Sequence, residues 1–182
     1  MANRIVSKPC ALSEELFSKA GWGSALWLIV RVYLGYQWLM AGWGKWYPAE
    51  GHSAWTKDVL LGFWQKAVQI PTPPARPAIS YDWYRSFLQM LIDTDSASWM
   101  APLIAYSEVL VGLALILGAF VGAAAFFGAL MNMNFMLAGS AGVNPVYFLL
   151  AVLLMTAWKT AGWWGLDRWL LTQLKLVNVE EK

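Results

Sequence analysis

One cysteine, Cys10, and one histidine, His52, are all that this 182-residue sequence holds of the two side chains that most often carry redox and metal chemistry. An internal disulfide, a paired-thiol redox motif and a cysteine-ligated cluster are therefore impossible within the chain. A bis-histidine haem or a multi-histidine metal site would need a partner. Charge is scarce as well: only 13% of residues are Asp, Glu, Lys or Arg, and none of these, nor His, occurs from Val109 to Trp158. The net charge of +2 provides no basic stripe, so a nucleic-acid partner is not expected. No haem, metal or flavin is expected within the chain. Its chemistry falls to Arg, Glu, Lys, Tyr, Trp and Asn, or to a second subunit.

What the sequence has instead is apolar surface. It is 59% hydrophobic and contains 13 tryptophans, against about 45–50% apolar for an ordinary soluble domain. Trp22, Trp43, Trp46, Trp99, Trp163, Trp164 and Trp169 fall near the ends of apolar runs, as in the aromatic belts of membrane proteins. As one helix, the uncharged run Val109–Trp158 would be about 75 Å long at 1.5 Å per residue, far beyond the roughly 30 Å bilayer core. It must fold back, and Gly118–Gly122 and Gly139–Val143 mark the reversals. Asn144 and Pro145 suit a helix start, with Asn as cap and Pro at the first position. The expectation is one all-α domain over residues 1–182, an integral membrane four-helix bundle. Its spans should be about 24–42, 102–117, 122–138 and 145–163.

Between the first two spans lies a polar-mixed insertion, about 47–100, expected to form a helical cap. Thr56–Gln69 reads as an amphipathic helix, the proline-rich stretch 70–77 as extended, and Ser80 or Asp82 as the cap of a second short helix. Ser13 with Glu14 and Glu15 should start a short helix in the amino-terminal tail, and residues 165–174 should form an in-plane interfacial helix. No cleavable signal peptide is evident, so the first span is expected to stay in the membrane. Arg4, Lys8, Lys19, Arg168, Lys175 and Lys182 weight the tails with positive charge, which favours cytoplasmic termini and an outward cap in a prokaryotic-type cytoplasmic membrane.

Two charges interrupt the apolar spans: Arg31 in the first and Glu108 in the second. Each costs on the order of 2.5–3.5 kcal/mol at a span centre, which makes both functional-site candidates. Two readings stand. In one, Arg31 and Glu108 form a polar site, Arg31 holding a carbonyl or anion and Glu108 moving a proton. In the other they are a buried pair that fixes helix register. Either way they are expected to meet. Arg31, Gly35, Trp38, Gly42 and Lys45 share one helical face, with the glycines allowing close helix approach. Lys45 could draw an anion inward or snorkel to headgroups. Asn132 and Asn134, two residues apart, cannot face one site, and Asn132 is the one expected toward the bundle. Tyr33, Tyr36, Gln37 and Trp43 could line an aromatic pocket or simply sit at the interface.

The run from Arg31 to Trp46 (RVYLGYQWLMAGWGKW) resembles the first-helix signature of the DoxX/DoxD membrane proteins. Pro102 to Gly118, with Glu108, resembles the family's second helix. Asn132–Phe135, Asn144–Pro145 and Gly165–Arg168 match its later segments. The resemblance covers about residues 24–172. It implies a four-helix membrane protein and a role in sulfur-compound oxidation, since DoxD is the membrane subunit of thiosulfate:quinone oxidoreductase and works with a small DoxA partner. On that reading the chain passes electrons from thiosulfate or a related sulfur species to quinone. Arg31, helped by Lys45, would hold the anion or quinone oxygen, Glu108 would manage protons, and Tyr36, Trp38 and Trp43 would bound the ring. The alternative is a non-catalytic subunit that anchors or stabilises a larger redox complex. The bilayer is the expected partner, with a DoxA-like subunit, a homo-oligomer or a larger membrane complex as further ones.

Overall fold

The computed structural model of the chain describes residues 15–18, 21–50 and 54–174. Ser13 and Glu14 of the expected tail helix, and the chain beyond Leu174, lie outside these. The described residues form eight helices and no strands. They are α1 Trp22–Trp46, α2 Lys57–Val68, α3 Asp82–Asp93, α4 Ala97–Leu117, α5 Val121–Leu137, α6 Asn144–Thr156, α7 Trp158–Ala161 and α8 Asp167–Gln173. By length and hydropathy, α4 is the one described helix fit to cross a membrane; α5 and α6 are apolar but shorter.

Glycine sets the closest helix contact. α1 and α4 run antiparallel, with Gly35 against Gly112 and Gly42 against Val109 and Ala105. A Cβ at Gly112 would stand 2.5 Å from the Leu39 backbone nitrogen, and one at Gly42 2.8 Å from that of Val109. Neither helix could approach so closely with a side chain there. The expected reversals occur where glycine permits them, at Gly118 (φ +69°) and Gly139 (φ +87°).

Two cores result. Trp27, Leu34, Trp38, Val111, Leu115 and Val121 belong to one, among α1, α4, α5 and α6. Leu60, Trp64, Ile79, Tyr84, Leu88 and Leu91 belong to the other, where α2 and α3 pack on the start of α4. The second core explains why α4 begins at Ala97, upstream of the expected Pro102. Ala97 and Ala101 are buried in it, so the extra turns are held by packing even though Pro102 supplies no N–H.

Some local expectations need correction. Neither Ser80 nor Asp82 caps α3; Tyr81 occupies the cap position without a side-chain bond. Asn144 is the first residue of α6 rather than its cap, and its amide donates to the Ser140 carbonyl at 2.6 Å. The last span breaks at Ala157 instead of running to Trp163. The break lets Thr160 donate to the Phe17 carbonyl at 2.8 Å and brings Gly162–Asp167 back under the α4–α5 turn, where Leu166 and Asp167 N–H groups donate to Leu117 and Gly118 carbonyls.

Candidate functional site

Glu108 is buried on α4, and its carboxylate pairs with the Lys45 ammonium at 2.6 Å. Lys45 is held in place by the chain that follows α1. The Trp55 N–H donates to the Lys45 carbonyl at 2.8 Å, and the Trp55 indole donates to the Ala101 carbonyl at 3.1 Å. The Lys45 ammonium lies 5.0 Å from that ring's centroid, a cation–π contact that adds to the ion pair.

The pair opens onto a cavity of about 450 Å³ whose lining includes Gln37, Trp38, Phe63, Asn132, Phe135 and Tyr147. Asn132 is fully buried, and neither its amide nitrogen nor its oxygen has a hydrogen-bond partner. The Trp38 indole nitrogen is likewise buried and unpartnered. Buried polar groups in folded proteins are nearly all satisfied. Two donors and an acceptor beside an ion pair therefore make a site shaped for a polar ligand. Gly128 packs directly against the Trp38 indole, where a Cβ would sit 3.0 Å from its nitrogen.

Arg31 is elsewhere, and the expected Arg31–Glu108 pair is not formed. Arg31 is buried at the other end of α1, its guanidinium against Gly118 and Gly165, with one weak donation to the Trp164 carbonyl at 3.4 Å. The antiparallel register dictates this: it sets Arg31 beside the end of α4 and leaves Glu108 to Lys45. The anion near Arg31 is Asp167, also buried. Its carboxylate accepts from the Phe120 N–H at 2.5 Å and the Val121 N–H at 2.9 Å, capping α5 from a distant part of the chain. Burial pushes the Asp167 carboxyl up from its ordinary value, while those two N–H groups and Arg31 pull it back.

The remaining candidates divide. Trp38, Lys45, Glu108 and Asn132 come together at the cavity. Tyr36 and Trp43 are about half exposed on the outer side of α1, where Trp43 packs on Tyr47. Asn134 turns away from Asn132, as their spacing requires, and accepts from the Tyr84 hydroxyl at 3.0 Å through its carbonyl. There it lines a second cavity of about 530 Å³, lined mostly by apolar side chains of α2, α3, α4 and α5. Burial pushes the Tyr84 hydroxyl up to about 12.

Sequence reasoning missed Trp55, Phe63 and Asp167. The first two sat in a segment read only as a cap. Asp167 read as the polar side of a surface helix; its signal was Gly162, where a Cβ would stand 2.6 Å from the Asp167 carboxylate.

A search of curated proteins and one of solved structures return no match. Residues 26–140, from the first turns of α1 to the α5–α6 turn and including all of α4, match the DoxX family. That stretch carries Lys45, Glu108, Trp38 and Asn132, and the chain belongs to the DoxX family of membrane proteins.

Proposed function

We propose that this chain is the quinone-handling membrane subunit of an oxidoreductase that draws electrons from thiosulfate or a related sulfur compound. The observation that carries the reading is the unpartnered Asn132 amide and Trp38 indole beside the Lys45–Glu108 pair. A quinone ring is flat and apolar with oxygen acceptors at its ends. Trp38, Phe63, Phe135 and Tyr147 supply flat walls, and Asn132 and Trp38 supply N–H donors. A quinone accepts two electrons and two protons. Glu108, in contact with Lys45, is placed to pass protons to the ring oxygens, a general-acid task. Arg31 is remote from this step, buried beside the α4–α5 turn.

In the same proposal the chain is one domain that crosses the membrane four times, through α1, α4, α5 and the α6–α7 segment. The termini are cytoplasmic and residues 47–100 face outward, where a DoxA-like partner or a larger complex would dock. Large exposed side chains such as Leu113, Phe126 and Leu149 support a lipid-facing exterior. With Cys10 replaced by Ser, Thr72→Cys and Gln173→Cys should label from opposite sides of the membrane; labelling of both from one side rejects this topology.

The reaction is tested by quinone reduction in lipid, with thiosulfate, sulfite or sulfide as donor and native partners retained. The reading expects donor-dependent quinol formation that Glu108→Gln slows. A second reading, a non-catalytic anchor, is favoured by the buried Asp167 carboxylate, whose contacts with the Phe120 and Val121 N–H groups are structural. It takes over if no donor reduces quinone and deletion of the protein disperses a larger complex.

A further inference from the structure

The polar cavity has an apolar neighbour, and the two share walls: Phe63 and Phe135 line both. Their chemistry is opposite. In the polar cavity Asn132 and Trp38 keep buried polar atoms without partners. In the apolar one the Tyr84 hydroxyl donates to the Asn134 main-chain carbonyl, and the Asn134 amide donates to the Leu130 carbonyl at 2.8 Å. Most of the rest of the lining is hydrocarbon, including Leu88, Leu91, Leu103 and Leu130, with Ser107 and Trp64 among it. Asn132 and Asn134 sit on opposite sides of α5, so one short stretch of helix faces both spaces. Leu103, Leu110 and Phe127 of its lining are half or more exposed, so the space opens to the outside of the bundle; at about 530 Å³ it falls, like the polar cavity, within the range of about 300–1,000 Å³ usual for small-molecule sites.

Resting on the quinone reading above, we infer that the ligand is a long-tailed quinone whose isoprenoid chain passes Phe63 and Phe135 and lies in the apolar cavity between α2–α3 and α4–α5. The occupant follows from adjacency. A ring seated by Asn132 and Trp38 has the apolar space as its neighbour across Phe63 and Phe135, and a chain without hydrogen-bonding groups suits a lining that is mostly hydrocarbon. The helices of residues 57–93 thus form part of the substrate site, and tail burial holds the ring at Glu108.

The test is equilibrium binding of two radiolabelled probes to the full chain in nanodiscs of one phosphatidylcholine. One probe is a dimethoxy-methyl-benzoquinone ring alone; the other is the same ring with an isoprenoid tail. Leu103→Trp and Leu130→Trp fill the apolar cavity from two helices at positions exposed enough to accept bulk, and comparing variants with wild type in the same lipid cancels partitioning. The expected result is a tailed probe that binds wild type more tightly than the ring, loses about tenfold or more in both filled variants, and a ring whose affinity they leave unchanged. Asn132→Leu should weaken both probes. Filled variants that bind the tailed probe as wild type does, or that weaken ring and tailed probe alike, overturn the inference and leave the quinone reading standing. So does a retained phospholipid that the filled variants release while tailed-probe affinity holds. A ring that fails to bind wild type, or Asn132→Leu with no effect on either probe, overturns the quinone reading and the inference with it.

Discussion

Lys45, not Arg31, is the cation that neutralises Glu108: their side chains meet at 2.6 Å. Arg31 lies fourteen residues earlier on the same helix, about 21 Å away along its axis at 1.5 Å per residue. Two charges on one helical face therefore serve separate ends of the molecule, Lys45 at the candidate site and Arg31 at the turn that joins α4 to α5.

Removing one partner of a buried pair strands the other. Lys45→Met should destabilise the protein by about 3 kcal/mol, the lower end of the usual range, because Lys45 keeps some solvent contact while Glu108 has almost none. Glu108→Leu added to Lys45→Met should recover most of that loss. Unfolding midpoints of the two single variants and the double in lipid check this; additive losses would contradict a direct pair.

At the opposite end, Asp167→Asn should weaken the hold on the Phe120 and Val121 N–H groups and leave Arg31 without its nearest anion. Its effect should depend on Arg31. A double-mutant cycle with Arg31→Met should return a coupling of about 0.5–3 kcal/mol, while cycles of Arg31→Met with Glu108→Gln should return none.

Gly112→Ala puts a methyl group on the backbone of α1. Overpacking usually costs about 1–3 kcal/mol, and here backbone, not a movable side chain, must yield. The variant should unfold earlier than wild type by at least the upper end of that range. The same change at Gly44, which meets nothing, should be close to neutral.

Tyr84 gives a pH signature. Its hydroxyl titrates near 12 in the folded protein, against 10.0 for a free tyrosine, because burial disfavours the anion. Between those values the folded state binds more protons at this residue than the unfolded one, so stability falls as pH rises. The contribution is whole below pH 10 and is lost as pH climbs toward 12. Denaturant unfolding measured across that interval should show this loss in wild type and a shallower one in Tyr84→Phe.

Much of this was legible in the sequence. The uncharged run required reversals, and glycines named where. The shared face of Gly35, Trp38, Gly42 and Lys45 marked the contact side of α1, and the spacing of Asn132 and Asn134 assigned them to different spaces. The pairing of charges was not legible, because it depends on the register of α1 against α4. That register is set by backbone contacts such as Gly112 on Leu39, which periodicity within either helix does not encode. Nor was Asp167, whose partners lie more than forty residues away on another helix start.

In the proposed function, Asn132 and Trp38 hold a quinone oxygen beside Glu108. Infrared difference spectroscopy of a quinone labelled with ¹³C at its carbonyls reads this directly, because a hydrogen-bonded carbonyl absorbs at lower frequency. A downshifted carbonyl band is expected when the quinone is bound to wild-type protein in lipid, returning to its lipid position in Asn132→Leu. A band at the lipid position with wild type, or a downshift that Asn132→Leu leaves intact, would contradict it.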